Sequence, residues 1–576
     1  MKVFRYLLAL VVVFSGIAIA VEFGLRGFMP DSYRGYLVEV GDDQVKWRLG
    51  PYEPTQPASG FNAPIPVEKP ANTLRIVALG TSATEGWLTA ETVYRKYGRK
   101  STSTGISSYS RALEFILNEM ATPGSMNIEV INLGIAAYNV SDVIRMLKDA
   151  QRLKPDFMLI QIGGNETWTA ERNNWASYIS EDIPYLYTAV GYEILTEIKG
   201  GWRTLSRGGN AFNPMALFST KAEPVVAEPP GRAIGLEQRL ETYRNELFRL
   251  GEYLRDQDVP YLFQVPAPNL ADYEPFASMA RPGTTPEQIA ELNRLLIDAL
   301  KDRTPAAKQK YLDILAIDDG IAEANFQLGQ IYLSENRPDE ARELFWKAVD
   351  RDLVLKRLPG KFRDVSMEFV TRNEFPYVDE MALLDAGTDT GVLGYNRLDD
   401  DVHPSIEGQF ILAAGMARAA LDYGLLPAEA YTADPARQPD FSDYESHIGF
   451  DANAAGQIAY LKAAHNYLTF GRFRQRLRWD PRPDVLLQFI IDELAIANAY
   501  TPDAASRYLG TVLNLYLGRT DDAAQLVAAL DCRASAEQAQ RVNAALVDTS
   551  RRALGGLSEG YRARLNDVLT AEGCRQ

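Results

Sequence analysis

The sequence predicts an α/β protein: a parallel sheet with flanking helices, an inserted helical-repeat lobe, and a C-terminal all-helical domain. Three observations carry this. Apolar, β-branched runs alternate with helical spacing over residues 73–162 and again over 236–265, the rhythm of strand–crossover–strand units. The rhythm pauses over 272–353, where the apolar period becomes 3.6. From residue 452 to 570 the chain reads as helix throughout.

The N-terminus opens with Lys2 and Arg5, followed by about 16 apolar residues, a pattern of an export signal or membrane anchor. Ala18-Ile19-Ala20 fits a signal-peptidase site, but the apolar run resumes at Phe23, which favours an uncleaved anchor. Either reading exports the rest of the chain, and in an oxidising compartment Cys532 and Cys574 are the two cysteines available to pair. Residues 29–71 are rich in Pro, Gly and Tyr and read as a spacer.

Strands are expected at 73–79, 128–133, 156–162 and 260–265, and near 377–384. Helices are expected at 108–120, 140–153, 236–254 and 406–423. Residues 167–230 form a long irregular insertion rich in Trp, Tyr, Gly and Pro. Within 322–353, Leu328, Gly329, Tyr332, Ala341, Phe345 and Ala348 fall at tetratricopeptide spacing, with small residues where two antiparallel helices touch. An ordinary helical hairpin is the plainer alternative. Residues 426–451 read as a linker, and 508–530 as a second repeat-like hairpin.

Composition narrows the function. The formal net charge of −16 argues against a nucleic-acid partner, which needs clustered Lys and Arg. No Cys/His cluster is present, so no metal and no cofactor is expected. There are only 3 histidines, so any imidazole chemistry falls to His403, His447 or His465.

The first strand breaks into Gly80-Thr81-Ser82. A serine on a tight turn after a parallel strand exposes its hydroxyl at the sheet's C-terminal edge, and its own N–H can face a developing oxyanion. Much later, Asp400 stands three residues before His403, on a loop between a strand and a helix. Such an aspartate can fold back onto the imidazole and fix its tautomer. Both loops fall on the same edge of a parallel sheet. His403 alone has a carboxylate at orienting distance in sequence. His465 reads as a packed helix residue, and His447 sits in the linker without a role.

Gly80-Thr81-Ser82, Gly134, Gly163-Gly164-Asn165 and Asp400-Asp401-Val402-His403-Pro404 together resemble the four blocks of the SGNH (GDSL) hydrolases, in the same chain order. The resemblance spans 72–271 and 354–425. The repeat insertion ahead of the last block is similar to that of a bacterial exported subgroup with tetratricopeptide repeats. The resemblance implies an ester hydrolase with Ser82 as nucleophile, His403 as base and Asp400 orienting the base. It implies an oxyanion hole of the Ser82 and Gly134 N–H groups and the Asn165 side-chain amide. One departure stands out: the family's usual Asp before the nucleophile is Thr81 here.

The expected layout is then an N-terminal anchor or signal peptide at 1–28 and a linker at 29–71. The hydrolase domain takes 72–271 and 354–425, split by the helical insertion 272–353. A linker at 426–451 leads to the helical C-terminal domain, 452–576. The expected place is the inner membrane with the catalytic domain in the periplasm, or an exported enzyme if the signal is cleaved.

Several residues near the blocks are candidates for substrate contact. Trp87, Trp168 and Trp175 follow catalytic blocks and offer faces for sugar rings or an acyl chain; lid or core packing is the plainer role. Arg95, Lys96, Arg99 and Lys100 cluster in the loop after Ser82, which suggests an anionic substrate in an otherwise acidic chain, or a solvated charge run. Glu166 either supports Asn165 or is a solvated loop acid.

The sequence thus points to an exported serine esterase that removes acyl groups, acetyl above all, from a carbohydrate or envelope glycan, with an acylated carbohydrate or lipid as substrate. An O-acyltransferase using the same triad shares the acyl-enzyme and is an alternative. A catalytically inactive scaffold that binds a protein partner through its helical repeats is a third reading. The intact Ser82, Asn165, Asp400 and His403 speak against it. The membrane is met only through the N-terminal segment.

Overall fold

The computed structural model describes residues 37–41, 43–47, 65–86, 108–135, 138–167, 226–227, 232–302, 304–353, 355–469, 485–501, 504–516 and 519–529. The N-terminal segment 1–28, Trp87, Trp168, Trp175, the Arg95–Lys100 cluster and both cysteines lie outside these residues. Among the described residues no helix is long and apolar enough to cross a membrane.

Three short strands, β1 (Leu37–Gly41), β2 (Gln44–Trp47) and β3 (Ile65–Pro66), form an antiparallel sheet within the expected linker. The central sheet follows: β4 (Thr73–Leu79), β5 (Asn127–Asn132) and β6 (Phe157–Gln161). A short parallel pair joins β7 (Val226–Ala227) to β9 (Ser278–Met279). The central sheet is completed by β8 (Tyr261–Val265) and β10 (Tyr377–Asp379), in the order β10-β8-β6-β4-β5, with every pairing parallel. Four of the expected strands are present and differ only at their ends; of the strand expected near 377–384 only Tyr377–Asp379 is one, and Glu380–Asp385 is a helix whose N-terminus is capped by the Asp379 carboxylate.

Parallel strands need covering helices on both faces, and both faces are covered. Helices Tyr109–Met120 and Ile406–Asp422 bury one face, with Leu113, Ile116, Leu117, Phe410 and Met416 in one apolar cluster with Ile76 and Leu159. Helices Val140–Gln151, Arg232–Arg255 and Gly360–Arg372 cover the other, where Leu147, Leu250 and Phe369 meet Val77, Ile160 and Phe263. All seven residues of β4 are buried, including Arg75. That guanidinium is matched by Glu129 at 2.8 Å and by the carbonyls of Pro66, Val67 and Leu153. A buried charge so paired fixes the entry of β4 rather than adding net stability.

The chain leaves β4 to one side for β5 and returns to its other side for β6. That reversal makes the C-terminal end of β4 the switch point of the sheet, where open α/β sheets leave a crevice. Ser82 stands there.

Between β9 and β10 run five helices; ahead of Gly360–Arg372 come Pro286–Lys301, Ala306–Ile317, Ala322–Ser334 and Pro338–Asp350. The first pair packs Leu296, Tyr311 and Ile314 into a cluster shared with Ala324 and Leu328 of the third helix and Val226 of β7. The second pair is different. Phe326, Ala341, Phe345 and Ala348 join the apolar cluster of the sheet's own face. Gly329 lets these two helices close: a Cβ there would sit 2.7 Å from Phe345 Cε1.

Residues 426–451, expected as a linker, carry the helix Phe441–Ile448 and pack onto helix Tyr109–Met120. Buried Tyr431 hydrogen-bonds the Leu117 carbonyl, and His447 lies with its ring 4.5 Å from that of Phe115. The C-terminal part contains helices Ala452–Thr469, Val485–Tyr500, Ala504–Tyr516 and Thr520–Ala528.

Candidate active site

The turn that carries Ser82 is built from its glycines outward. Gly80 ends β4 against Thr84, where a Cβ would meet Oγ1 at 2.1 Å, so no larger residue lets the chain turn there. Thr81 is in extended conformation and caps the four-residue helix Ser82–Glu85. Its hydroxyl donates to Gln161 Oε1 at 2.8 Å, and its N–H points to the same oxygen at 3.2 Å. Thr84 Oγ1 donates there too, at 3.0 Å, while accepting from Tyr109 OH at 2.8 Å. One amide oxygen on β6 thus holds the whole turn, and the Gln161 Nε2 end rests on buried Glu380 at 3.1 Å. Gln161 supplies the bonding that the Thr81 departure left open. Sequence reading missed it because the three donors converge only in the folded sheet.

Asp400 and His403 arrive from the opposite end of the chain on the loop before helix Ile406–Asp422. The loop folds on itself through Asp399 N–H to His403 O at 2.8 Å. Asn269, after β8, pins it from outside, giving its amide to Asp400 O at 3.0 Å and its N–H to Asp401 O at 2.8 Å. Asp400 Oδ1 accepts the N–H groups of Val402 and His403, each at 2.9 Å. Asp400 Oδ2 lies 2.6 Å from His403 Nδ1, and His403 Nε2 lies 2.7 Å from Ser82 Oγ. The network assigns the tautomer: Nδ1–H donates to the carboxylate, leaving Nε2 to accept from the hydroxyl.

The electrostatics follow from burial and pairing. Burial pushes the Asp400 carboxyl up, but the charges and hydrogen bonds of His403 and His465 outweigh it and hold the group well below the usual carboxylate range. Burial pulls His403 down, and the Asp400 charge and hydrogen bond, backed by Asp401, outweigh it and leave the imidazole more basic than usual. Asp400 is fully buried, whereas Ser82 and His403 each keep 9% of their surface. Asp400, Asp401 and His403 also place donor atoms within 4.8 Å of one another, and Asp401 Oδ1 holds Lys356 Nζ at 2.8 Å.

The remaining block residues sit around the same edge. Asn165 follows Gly163 and Gly164, whose φ angles of +90° and +121° only glycine adopts readily. Its amide donates to Tyr138 O at 2.9 Å, which sets the plane of the side chain. Gly134 lies against the Ser82 turn so closely that a Cβ would meet Glu85 N at 2.4 Å. Its N–H donates to Asn132 Oδ1 at 2.9 Å, and Asn132 Nδ2 in turn holds Thr84 O at 2.6 Å. The Gly134 donor is thus committed to the second clasp on the turn, and close approach accounts for the glycine.

Glu166 is buried, not a solvated loop acid. Burial pushes its carboxyl up to about 8, opposed by hydrogen bonds from its own backbone, Val140 and Asn165 and reinforced by Glu246. It therefore ties the Asn165 turn to the start of helix Val140–Gln151.

His465, expected as an ordinary packed helix residue, is brought to the site. Its Nε2 lies 3.1 Å from Asp400 Oδ2. Its helical spacing hid it: a buried histidine facing a core and one facing a carboxylate have the same periodicity.

No protein-family model matches the chain, and no curated protein matches it either. Solved structures similar to it include a GDSL-like lipase from Bacteroides thetaiotaomicron VPI-5482, with 12% identity, 61% of this chain and 88% of that one covered, and a TM-score of 0.24. A putative lipolytic protein of the G-D-S-L family from Desulfitobacterium hafniense DCB-2 matches at 12% identity over 60% and 98%, with a TM-score of 0.25. A putative acylhydrolase from Bacteroides fragilis NCTC 9343 matches at 12% identity over 61% and 88%, with a TM-score of 0.23. Scores this low carry no argument, and the functional case rests on the geometry of the site.

Proposed function

We propose that the protein is a serine esterase of the SGNH type. The observation that carries this is the unbroken chain Ser82 Oγ – His403 Nε2/Nδ1 – Asp400 Oδ2, at 2.7 and 2.6 Å. A serine hydroxyl is a weak nucleophile until a base takes its proton. In this reading His403 Nε2 accepts the Ser82 proton as Oγ attacks the acyl carbonyl. Asp400 stabilises the imidazolium that forms, without itself taking the proton. The oxyanion is met by the Ser82 N–H, in the first turn of its helix, and by the Asn165 amide. His403 then gives its proton to the leaving alkoxide. Water, deprotonated by His403, attacks the acyl-enzyme, and His403 returns that proton to Ser82 Oγ as the acyl–oxygen bond breaks and the acid leaves.

The substrate belongs to the same proposal: the acyl donor is an acetylated carbohydrate of the envelope, reached by export through the N-terminal segment. Clustered Arg95, Lys96, Arg99 and Lys100 support an acidic glycan, because a local basic patch focuses potential toward a site even in a chain of net charge −16. A partner protein would meet the helices between β9 and β10.

The test is a panel of acyl esters, with neutral and acidic acetylated glycans, assayed with and without sugar acceptors, alongside fluorophosphonate labelling. Labelling of wild type but not Ser82→Ala, with acid release independent of acceptor, is expected. Acyl transfer to the acceptor in place of acid release would make the protein a transferase. Absence of labelling would overturn the nucleophile.

A further inference from the structure

The helix Ala452–Thr469 lies far along the chain from both catalytic blocks, yet three of its side chains close on the catalytic loop. Lys462 Nζ sits 2.8 Å from Asp399 Oδ1, and Asn466 Nδ2 donates to Asp399 O at 2.8 Å. Between them His465 Nε2 stands 3.1 Å from Asp400 Oδ2, the same oxygen that holds His403. Positions 462, 465 and 466 share one helix face, so one docking event delivers all three. The face is anchored behind by Glu493, 3.6 Å from Lys462. The packing is buried: His465 keeps 5% and Asn466 1% of their surface.

We infer that His465 is a positioning residue for the reaction, a second imidazole on Asp400 Oδ2 that fixes the carboxylate's orientation and shares its charge with His403. This rests on the esterase reading of Ser82 and His403 given above. A carboxylate offers about four acceptor sites. On Asp400, two backbone N–H groups take Oδ1, His403 Nδ1 takes Oδ2, and His465 Nε2 stands 3.1 Å from that same oxygen. The two rings meet edge to face, with centroids 6.4 Å apart and planes at 78°, so both can address one oxygen without touching.

The consequence is electrostatic. A buried carboxylate with one imidazole partner drives that imidazole strongly toward its protonated form, which cannot accept the Ser82 proton. A second, neutral donor on the same oxygen draws off part of that charge and keeps His403 available as a base. Burial pulls His465 below its ordinary value despite the opposing pull of Asp400, with Lys356 and His403 adding to the lowering, which suits a neutral donor. The charged and titratable groups around the pair are Asp399, Asp400, Asp401 and His403 on the loop, Tyr273 after β8, Lys356 ahead of helix Gly360–Arg372, and Lys462 and Glu493 on the C-terminal helices. The hydrolase site is therefore completed by a helix outside the four sequence blocks.

The test uses the full chain. His465→Leu keeps volume without a donor, His465→Ala removes both, and His465→Gln restores a donor of similar reach. With 3 histidines in the chain, imidazole NMR follows His403 directly. In the Leu and Ala variants the His403 midpoint and the acid limb of kcat/KM should both rise by about half a unit or more, and kcat for p-nitrophenyl acetate should fall about tenfold at constant KM. His465→Gln should bring the midpoint back toward wild type. An unchanged midpoint in folded His465→Leu, with any activity loss following Tm alone, overturns the inference. The esterase reading fails differently: Ser82→Ala would remain active while the NMR shift persists.

Discussion

Ser82 Oγ and His403 Nε2 lie 2.7 Å apart although 321 positions separate them in the chain. The turn after β4 meets the loop before helix Ile406–Asp422, and neither half has chemistry alone. Replacing either residue with Ala should lower kcat by about 10⁴-fold or more, because triad members act as a unit. The double variant should be no slower than the worse single one. Thermal unfolding should barely change. Near-wild-type turnover by Ser82→Ala would remove the mechanism.

The Asn165 amide is oriented by the Tyr138 carbonyl at 2.9 Å. If its other N–H meets the oxyanion, Asn165→Ala should reduce kcat by about 10²–10³ with little change in KM, since that charge exists only in the transition state. A rise in KM at constant kcat would place the amide in ground-state binding instead.

Gln161 Oε1 collects three donors from the turn that carries Ser82. Gln161→Leu keeps the volume and strands those donors in the core. Each unsatisfied buried group costs about 1–3 kcal/mol, so a clear loss in denaturant midpoint is expected together with slower acylation of Ser82. A variant with unchanged stability and unchanged fluorophosphonate labelling would show that the turn is held by other contacts.

Burial sets the Glu166 carboxyl at about 8, above its unfolded value near 4.5. The protonated form is thus favoured by folding. Its contribution is fully present below about pH 4.5 and is lost as pH rises toward 8. Glu166→Gln removes that loss. The variant's Tm relative to wild type should therefore climb between pH 4.5 and 8, by an amount on the order of a few kcal/mol in stability. A difference that stays flat across this window would mean that Glu166 is ionised in the fold.

The sequence by itself determined the order of the sheet's strands along the chain, the helices between them, and the two loops that carry Ser82 and the Asp400–His403 pair. These are local properties: apolar period, glycine at turns, and a carboxylate three residues from an imidazole. Only the tertiary structure decided what those loops lean on. Gln161 holds the Thr81 turn, Asn132 takes the Gly134 N–H, and Asn269 pins the Asp400 loop, each across a long stretch of chain. The same holds for the second helix pair of the insertion, whose Phe326 and Phe345 enter the core of the sheet's face rather than standing apart. His465 shows the reason most clearly. Its period announces a buried helix face, but period cannot say what that face is buried against; the docking of helix Ala452–Thr469 puts Asp400 there.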